Sequence, residues 1–258
     1  MHRLFKATIL LVFALLLSSN ATYAQSPTHY YVEIKTGKGN AILKLYNETP
    51  LHRDNMVRLV RANFYDSLLF HRVINQFMIQ GGDPGSKFAV DKQSLGEGGP
   101  GYDVPAEIQE QLIHKKGVIG AARDNNPEKK SSGSQFYLVQ GKKYSEAGLD
   151  SLETMRLKKK LTPKQRETYT TVGGVPHLDG EYTVYGEIIE GLDAVDSIAK
   201  VETDGRDRPV ANERMSMRTL TRDEALKIEL GAVPKRGFFA SIFSKAPAQE
   251  YTLTPSKK

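Results

Sequence analysis

Hydrophobic and polar residues alternate with a period of two in several short stretches of the chain. Residues 31–36 and 41–46 alternate in this way on either side of the glycine-containing stretch 37–40, which predicts a β-hairpin. Further β-rich stretches are residues 68–74, 76–80, 102–107, 117–122, 135–140 and 182–189. Many short strands would expose unpaired edges, so the pattern predicts a mainly-β structure that is closed or nearly closed on itself.

Helical periodicity occurs in two places between these strands. Thr49 before Pro50 is typical of a helix start, and hydrophobic residues recur at helical spacing up to Phe64, which predicts a helix over about 50–63. Residues 191–198 carry hydrophobic side chains on one helical face and predict a second, shorter helix. Two helices are therefore expected to pack on the β core.

Residues 144–170 do not fit a compact β domain. They are rich in Glu, Lys, Arg, Leu and Met, and Thr162 followed by Pro163 marks a helix start inside them, so a helical insertion is predicted. The mixture of lysines and carboxylates favours a solvated helix pair. Binding of RNA, membrane headgroups or a client protein stays open, as does a role in bounding a nearby substrate groove.

The C-terminal part of the chain predicts one more helix and a tail. Thr221 and Glu224 have the spacing of a capping box, which predicts a helix that ends at Gly231. Residues 232–258 carry Pro, Ser and Lys and are expected to be largely disordered, with a Phe-rich patch at 238–243 of open function.

The N-terminal residues have the layout of a secretory signal peptide. A basic start precedes an apolar block at 9–17 and small or polar residues up to Ala24, after which cleavage is predicted. An uncleaved amphipathic anchor is the alternative, and no stable membrane span is expected because the block is short. We expect an exported protein, periplasmic rather than secreted into the medium. The predicted layout is a leader (1–24), a linker (25–29), one domain with the insertion (30–220) and a C-terminal extension (221–258).

Composition limits the other possibilities. The chain has 258 residues and no cysteine, which excludes disulfides, thiolate metal sites and a lipid anchor on cysteine. The net charge of +6 comes in part from the leader, from residues 156–160 and from the last residues. It is interpreted as solvated surface rather than as a nucleic-acid site.

The stretch 70–83, FHRVINQFMIQGGD, combines residue types that a plain core strand does not need. Arg72 lies close in sequence to two large apolar residues, Phe77 and Met78, and to the amide of Gln80. Two interpretations are open on these residues alone. They are core side chains with a surface cation, or a site that combines a cation with an apolar pocket.

Three motifs, in chain order, resemble the signatures of cyclophilins, a family of peptidyl-prolyl cis/trans isomerases. The first is 70–83, the second is 132–137 (SGSQFY), preceded by GAAR at 120–123, and the third is 177–186 (HLDGEYTVYG). The resemblance covers about residues 30–220. It implies a closed eight-stranded antiparallel β-barrel capped by two helices, and isomerisation of X-Pro bonds in unfolded or extended polypeptides without any cofactor.

The chemistry of this reaction explains the residue types. Rotation about the peptide bond before proline has a barrier of about 18–20 kcal/mol, and no bond is made or cut. A catalyst can stabilise the twisted bond with a fixed charged donor while an apolar pocket holds the proline ring. By resemblance, the catalytic residues are Arg72 as that donor, Phe77 and Gln80. The residues implied to bind substrate are Met78, Ala122, Arg123, Gln135, Tyr137, His177, Leu178 and Tyr182. Within this set, Phe77, Met78, Tyr137 and Leu178 form the implied proline pocket, and Gln80, Ala122, Arg123 and Gln135 hold the substrate chain.

Four positions depart from the family pattern. His177 stands where many members have a pocket-rim Trp, so cyclosporin binding is expected to be weak. Arg123 replaces a frequent Asn and Tyr182 a frequent His, which is expected to alter the groove without abolishing activity. Tyr137 replaces a Phe, and its hydroxyl needs a polar partner.

Other chemistry is less well supported by the residues. His71 is interpreted as a structural hydrogen-bonding group rather than a general base, since a twisted amide has no proton that must move. The glycine-rich stretch 96–101 lacks the residues that follow in a phosphate-binding loop and predicts a turn. The scattered histidines and carboxylates predict no metal site.

Two other functional classes are less compatible with these residues than an isomerase. A binding module or holdase chaperone would use a proline groove without turnover, but it would not require the guanidinium of Arg72. A hydrolase lacks a nucleophile and base pair, because Ser134 lies in a strand motif. The expected partners are proline-containing polypeptides, and a monomer is expected.

Overall fold

The computed structural model of the protein describes residues 26–231. Its strands are β1 (Tyr31–Thr36), β2 (Gly39–Leu45), β3 (Phe70–Ile74), β4 (Met78–Gly81), β5 (Asp103–Val104), β6 (Val118–Ala121), β7 (Ser131–Ser132), β8 (Phe136–Val139), β9 (Val184–Glu190) and β10 (Met215–Thr219). Its α-helices are α1 (Pro50–Arg61), α2 (Glu146–Leu152), α3 (Pro163–Thr171), α4 (Leu192–Ile198) and α5 (Arg222–Glu229). Short turns of 3-10 helix occupy Pro84–Ser86 and Pro176–Leu178, and a π-helical turn occupies Glu153–Leu157. The predicted leader and the predicted C-terminal tail with its Phe-rich patch lie outside the described residues.

Eight of the strands form one antiparallel sheet. Their order is β10-β1-β2-β9-β6-β8-β4-β3, and β5 pairs separately with β7. The mainly-β fold with an eight-stranded antiparallel sheet and several helices is therefore confirmed. No helix within residues 26–231 is long and apolar enough to cross a bilayer.

The sheet is open, so the predicted closed barrel is wrong in its closure. β10 and β3 lie at the two ends of the strand order and do not pair with each other as strands. The ends are joined by an isolated bridge between Leu69 and Arg214 and by three backbone hydrogen bonds, from the Ser67 amide to the carbonyl at 215, from the amide at 215 to the Leu68 carbonyl and from the Phe70 amide to the carbonyl at 213. These contacts lie at or before the first residues of β3 and β10, so they do not extend into a ladder between the two strands.

The first helix is capped differently from the prediction. The Thr49 side chain makes no capping hydrogen bond, and its hydroxyl is buried without a partner among the described residues. The Glu107 carboxylate instead accepts hydrogen bonds from the Leu51 and His52 amides at 3.0 and 2.9 Å. A carboxylate satisfies free amides and complements the positive end of the helix dipole, so α1 is capped from a distant loop.

Side chains of the sheet divide between two hydrophobic clusters because successive residues of a strand point to opposite faces. In β8, Phe136 and Leu138 belong to the larger cluster, whereas Tyr137 and Val139 belong to a smaller one. The larger cluster includes buried residues of α1 and α4 and is the main core. The smaller cluster contains several of the predicted site residues.

The segment between β8 and β9 is helical. Thr162 caps α3 in a full capping box with Gln165, and Pro163 occupies the first turn, as the sequence predicted. A small core of its own, with Leu149, Leu161 and Tyr169 buried, holds α2 and α3 together. Thr221 and Glu224 likewise form the predicted capping box of α5.

The main core should be sensitive to truncation on β2. Leu43 is fully buried, so Leu43→Ala is expected to lower the free energy of unfolding by about 2–5 kcal/mol. Ile189→Ala on the paired strand β9 is the control, since Ile189 is 41% exposed and its loss should cost less than about 1 kcal/mol. Denaturant unfolding measures both. Equal effects would contradict the position assigned to the core.

Candidate active site

Four strands align the predicted site residues in one row. Arg72 of β3 lies opposite Gln80 of β4, Gln80 lies opposite Tyr137 of β8, and Tyr137 lies opposite Gly120 of β6. Side chains of directly opposite residues in antiparallel strands share a face and lie about 5 Å apart. The strand register thus brings the arginine, the amide and an aromatic wall together.

Arg72 is held between two polar neighbours. Its Nε lies 3.6 Å from the Asp207 carboxylate, and its Nη1 donates to Gln80 Oε1 at 3.4 Å. The Arg72 side chain is 43% exposed, so the guanidinium remains accessible to a ligand from solvent. The contact with Asp207 was not predicted, because Asp207 lies far from Arg72 in sequence and belongs to none of the motifs.

Hydrogen bonds connect Gln80 of this row, through Gln135, to the glycine-rich loop at residues 96–101. Gln80 Nε2 donates to Gln135 Oε1 at 3.0 Å, and Gln135 Nε2 donates to the carbonyls of Gly96 and Gly98 at 2.7 and 2.8 Å. Asp83 accepts a hydrogen bond from the Gly96 amide at 2.6 Å, and a Cβ on Gly98 would lie 2.1 Å from an Asp83 oxygen. Only glycine fits this close approach.

This loop forms one wall of a groove. The sequence predicted only a turn at residues 96–101. A cavity of about 560 Å³ lies between the loop and the predicted chain-binding residues. Its lining includes Gln80, Ala122, Arg123 and Gln135. The sequence signal for such a wall is the high density of glycines just before β5, since glycines allow a close approach of the backbone.

The smaller hydrophobic cluster lies beside this row. Met78, Tyr137 and Leu178 belong to it as buried residues, and Phe77 and Tyr182 pack against it as partly buried ones. Phe77 lies in the β3–β4 turn rather than in the strand predicted over 76–80. The turn carries a positive φ of 62° at residue 76, and the Phe77 carbonyl accepts two amides, at 3.1 and 2.9 Å.

Two of the departures from the family pattern pack on each other, and a third packs on Phe77. The His177 ring stacks on Phe77 with 5.7 Å between ring centroids. The Arg123 guanidinium lies 4.7 Å from the centre of the Tyr182 ring, and its Nε donates to the Glu181 carbonyl at 3.0 Å. The cation–π contact and this hydrogen bond fix the Arg123 side chain along the groove.

Tyr137 finds its polar partner in His114. The Tyr137 hydroxyl lies 2.8 Å from His114 Nε2, and both residues are buried. Burial raises the pKa of Tyr137 well above its usual value. His114 was not predicted, because nothing in its sequence surroundings connects it to the motifs.

Neither histidine next to the site acts as a cation at neutral pH. Burial, reinforced by the charge of Arg156, lowers the pKa of His177 to about 4. Burial lowers the pKa of His71 to about 4, with Asp83 acting in the opposite direction. Neither His71 ring nitrogen has a hydrogen-bond partner of normal geometry among the described residues, so the hydrogen-bonding role of His71 stays a prediction.

Residues 26–231 contain no group of three or more His, Cys, Asp or Glu side chains arranged to hold a metal ion. The arrangement at the row is a guanidinium, two amides and an adjacent hydrophobic cluster. Such a site can bind a polypeptide chain with a hydrophobic ring and polarise one of its carbonyls or amide nitrogens.

The family of the chain follows from sequence comparison. The family model described as "Cyclophilin type peptidyl-prolyl cis-trans isomerase/CLD" matches residues 31–219. The chain therefore belongs to the cyclophilin-type peptidyl-prolyl cis-trans isomerases, the enzyme class that the sequence resemblance implied.

Individual relatives agree with this assignment. A Staphylococcus epidermidis protein named "Putative peptidyl-prolyl cis-trans isomerase" is 33% identical over 180 residues, 69% of this chain and 85% of that protein. A Staphylococcus aureus protein of the same name is 33% identical over the same length, with the same coverage. The crystal structure of a Cryptosporidium parvum cyclophilin type peptidyl-prolyl cis-trans isomerase matches with a TM-score of 0.56 at 21% identity. It covers 75% of this chain and 98% of that one, and it shows the shared fold.

The low pKa of His71 predicts a pH-dependent stability. In the unfolded chain a histidine takes up a proton near pH 6.5, whereas folded His71 does so only near pH 4. The unfolded state therefore gains a proton first as the pH falls, and stability is lost between about pH 6.5 and 4. Between pH 7 and 5, the wild type should lose about 1–2 kcal/mol more stability than His71→Gln. Urea unfolding at both pH values measures this, and parallel pH profiles would refute it.

Proposed function

We propose that this isomerase acts on X-Pro bonds of exported polypeptides and assists their folding, with Arg72 stabilising the twisted amide. The observation that carries the proposal is the row in which Arg72, Gln80 and Tyr137 share one face beside a hydrophobic cluster. A charged donor and a ring-sized apolar site are the two elements that rotation about a prolyl bond requires.

Arg72 is suited to this role by chemistry and by position. A guanidinium stays protonated and presents its donors in a planar fork. Asp207 and Gln80 engage Nε and Nη1, whereas Nη2 has no partner within the described part of the chain. Pre-oriented donors stabilise developing charge without reorganisation in the transition state.

The proline ring is proposed to occupy the pocket formed by Phe77, Met78, Tyr137 and Leu178. These side chains belong to one hydrophobic cluster, and the stack of His177 on Phe77 borders it. An apolar ring buried there gains roughly 25 cal/mol for each Å² removed from water. Because His177 offers a smaller surface than the Trp of many relatives, we propose weak cyclosporin binding.

The polypeptide on one side of proline is proposed to lie in the groove walled by the glycine-rich loop. Gln80 and Gln135 present amides there, and the backbone at Ala122 and Arg123 lines the same cavity. Backbone-directed contacts of this kind favour broad rather than sharp sequence preference.

The location of the enzyme is proposed from the leader alone. A basic start, an apolar block and small residues before Ala24 are the layout of a cleaved secretory signal, and a periplasmic destination follows if the chain is released. The clients would then be newly exported chains whose folding waits for slow X-Pro isomerisation.

Arg72→Ala is expected to lower kcat/KM for an X-Pro peptide by about 10²- to 10³-fold, the effect of removing one transition-state donor. Arg72→Lys should recover only part of the activity, because it restores the charge but not the planar fork. The rate of cis to trans conversion in the mature protein measures both variants.

Arg61→Ala, at an exposed arginine on α1, is the matched control and should keep the wild-type rate. An Arg72→Ala variant with full activity would exclude the proposed role of the guanidinium. If the unaltered protein binds the peptide but leaves its isomerisation rate unchanged, a groove-binding chaperone function replaces catalysis.

Export predicts a processed N-terminus. The full chain expressed in a Gram-negative host should be recovered from the periplasm with Gln25 as its first residue, as read by mass spectrometry of the intact protein. A variant that lacks residues 1–24 should stay in the cytoplasm. Recovery of the unprocessed chain from the cytoplasm would count against the export proposal.

A further inference from the structure

A chain of buried hydrogen bonds connects the inserted helices to the pocket. Tyr137 of the pocket wall pairs with His114 Nε2 at 2.8 Å, and His114 Nδ1 lies 3.0 Å from Asp179 Oδ1. The other carboxylate oxygen of Asp179 accepts a hydrogen bond of 2.6 Å from the Tyr169 hydroxyl. Tyr169 lies in α3, the second helix of the insertion.

The carboxylate determines the direction of the bonds that it accepts and, for a neutral His114 ring, of the bond to Tyr137 as well. A carboxylate only accepts, so Tyr169 donates to Asp179, and the proton of a neutral His114 ring must be on Nδ1. His114 Nε2 is then an acceptor, and the Tyr137 hydroxyl donates to it. The His114 amide also donates to Asp179 Oδ1, at 2.8 Å.

Burial makes this chain rigid. His114 and Tyr169 have no exposed surface, Tyr137 is 4% exposed, and the Asp179 side chain is 6% exposed. Water cannot easily replace a lost partner at such depth, so a fully satisfied network favours one arrangement of its members. Removal of one hydroxyl would leave a buried acceptor without its donor.

The backbone attaches the insertion at the same place. Gly174, just after α3, forms bridges with Lys115 and Lys142, and the Val175 amide donates to the His114 carbonyl at 2.8 Å. A Cβ on Gly174 would lie 2.2 Å from the same His114 carbonyl oxygen. The insertion therefore packs directly against the residue that holds Tyr137.

The Tyr137 ring belongs to the hydrophobic cluster that is proposed to hold the proline ring. It lies over Gly120, where a Cβ would come within 2.4–2.6 Å of the Tyr137 side chain, and it meets Tyr182 edge to face with 6.0 Å between centroids. The hydrogen bond at the hydroxyl holds the far end of this ring in place. Asp179 also directly follows Leu178, another member of the pocket cluster.

We propose that Tyr169, Asp179 and His114 are positioning residues that hold the Tyr137 ring at the angle that accepts a five-membered proline ring. The insertion is then a structural part of the isomerase site and sets its selectivity for ring size. This inference rests on the proposed function, since it assumes that the proline ring occupies the pocket with Tyr137 as its wall.

The test compares two substrates that differ only in the ring. The wild type, Tyr169→Phe, Tyr137→Phe and the double variant are assayed on an X-Pro peptide and on the same peptide with the six-membered pipecolic acid. Tyr169→Phe is expected to raise KM for the proline peptide by about three- to tenfold, a range typical of coupled contacting residues, with kcat within about twofold. The preference for proline over pipecolic acid should fall by a similar factor.

The double variant separates positioning from general damage. Once the Tyr137 hydroxyl is absent, Tyr169→Phe can no longer act through it and should not lower the ring preference further. Tyr144→Phe is the matched control, because the Tyr144 hydroxyl makes no side-chain hydrogen bond within residues 26–231, and it should keep the wild-type preference. All assays are run at temperatures at which each variant is folded.

Two results would overturn the proposal. One is an unchanged ring preference in Tyr169→Phe despite a lower unfolding temperature, which would make the network purely structural. The other is a loss of ring preference on Tyr169→Phe that is as large in the Tyr137→Phe variant as in the wild type. If the wild type does not accelerate isomerisation at all, the proposed function fails instead, and the ratio of Kd values for the two peptides tests the positioning claim separately.

Discussion

The candidate site depends above all on the register of four antiparallel strands. Pairing of β3, β4, β8 and β6 puts Arg72, Gln80, Tyr137 and Gly120 in one row, while their chain neighbours face the main core. Because side chains alternate along a strand, a slip of one residue in any of these strands would turn its site residue into the core. The hydrophobic core therefore favours the row, since a slip of one residue would take the buried positions between the site residues out of the core.

Groups from outside the four strands complete this row. Asp207 approaches the guanidinium of Arg72, and Gln135 connects Gln80 to the glycine-rich loop. Asp83 in turn holds that loop through the Gly96 backbone amide. Each contact satisfies a polar group that would otherwise lie half-buried without a partner, so the groove is pre-organised before any substrate arrives.

Tyr137, which replaces a Phe of the family pattern, is connected to the insertion by hydrogen bonds. A phenylalanine on the pocket wall needs no polar partner, whereas a buried tyrosine hydroxyl does. His114 pairs with the Tyr137 hydroxyl, and Asp179 pairs with the other ring nitrogen of His114. The Tyr169 hydroxyl donates to the remaining oxygen of the Asp179 carboxylate. Arg166 of α3 forms ion pairs with Glu146 and Asp150 of α2 and with the buried Glu153 that follows α2, so charges as well as a small core join the two helices of the insertion.

The sequence by itself determined what depends on neighbours along the chain: the first hairpin, the helix starts at Thr162 and Thr221, and the motif that carries Arg72. These features follow from local periodicity and capping, which act over a few residues. Only the tertiary structure decided the partners that come from distant segments. Glu107 rather than Thr49 caps α1, the sheet stays open, and His114 meets Tyr137, because such contacts depend on how loops pack and leave no pattern in the local sequence.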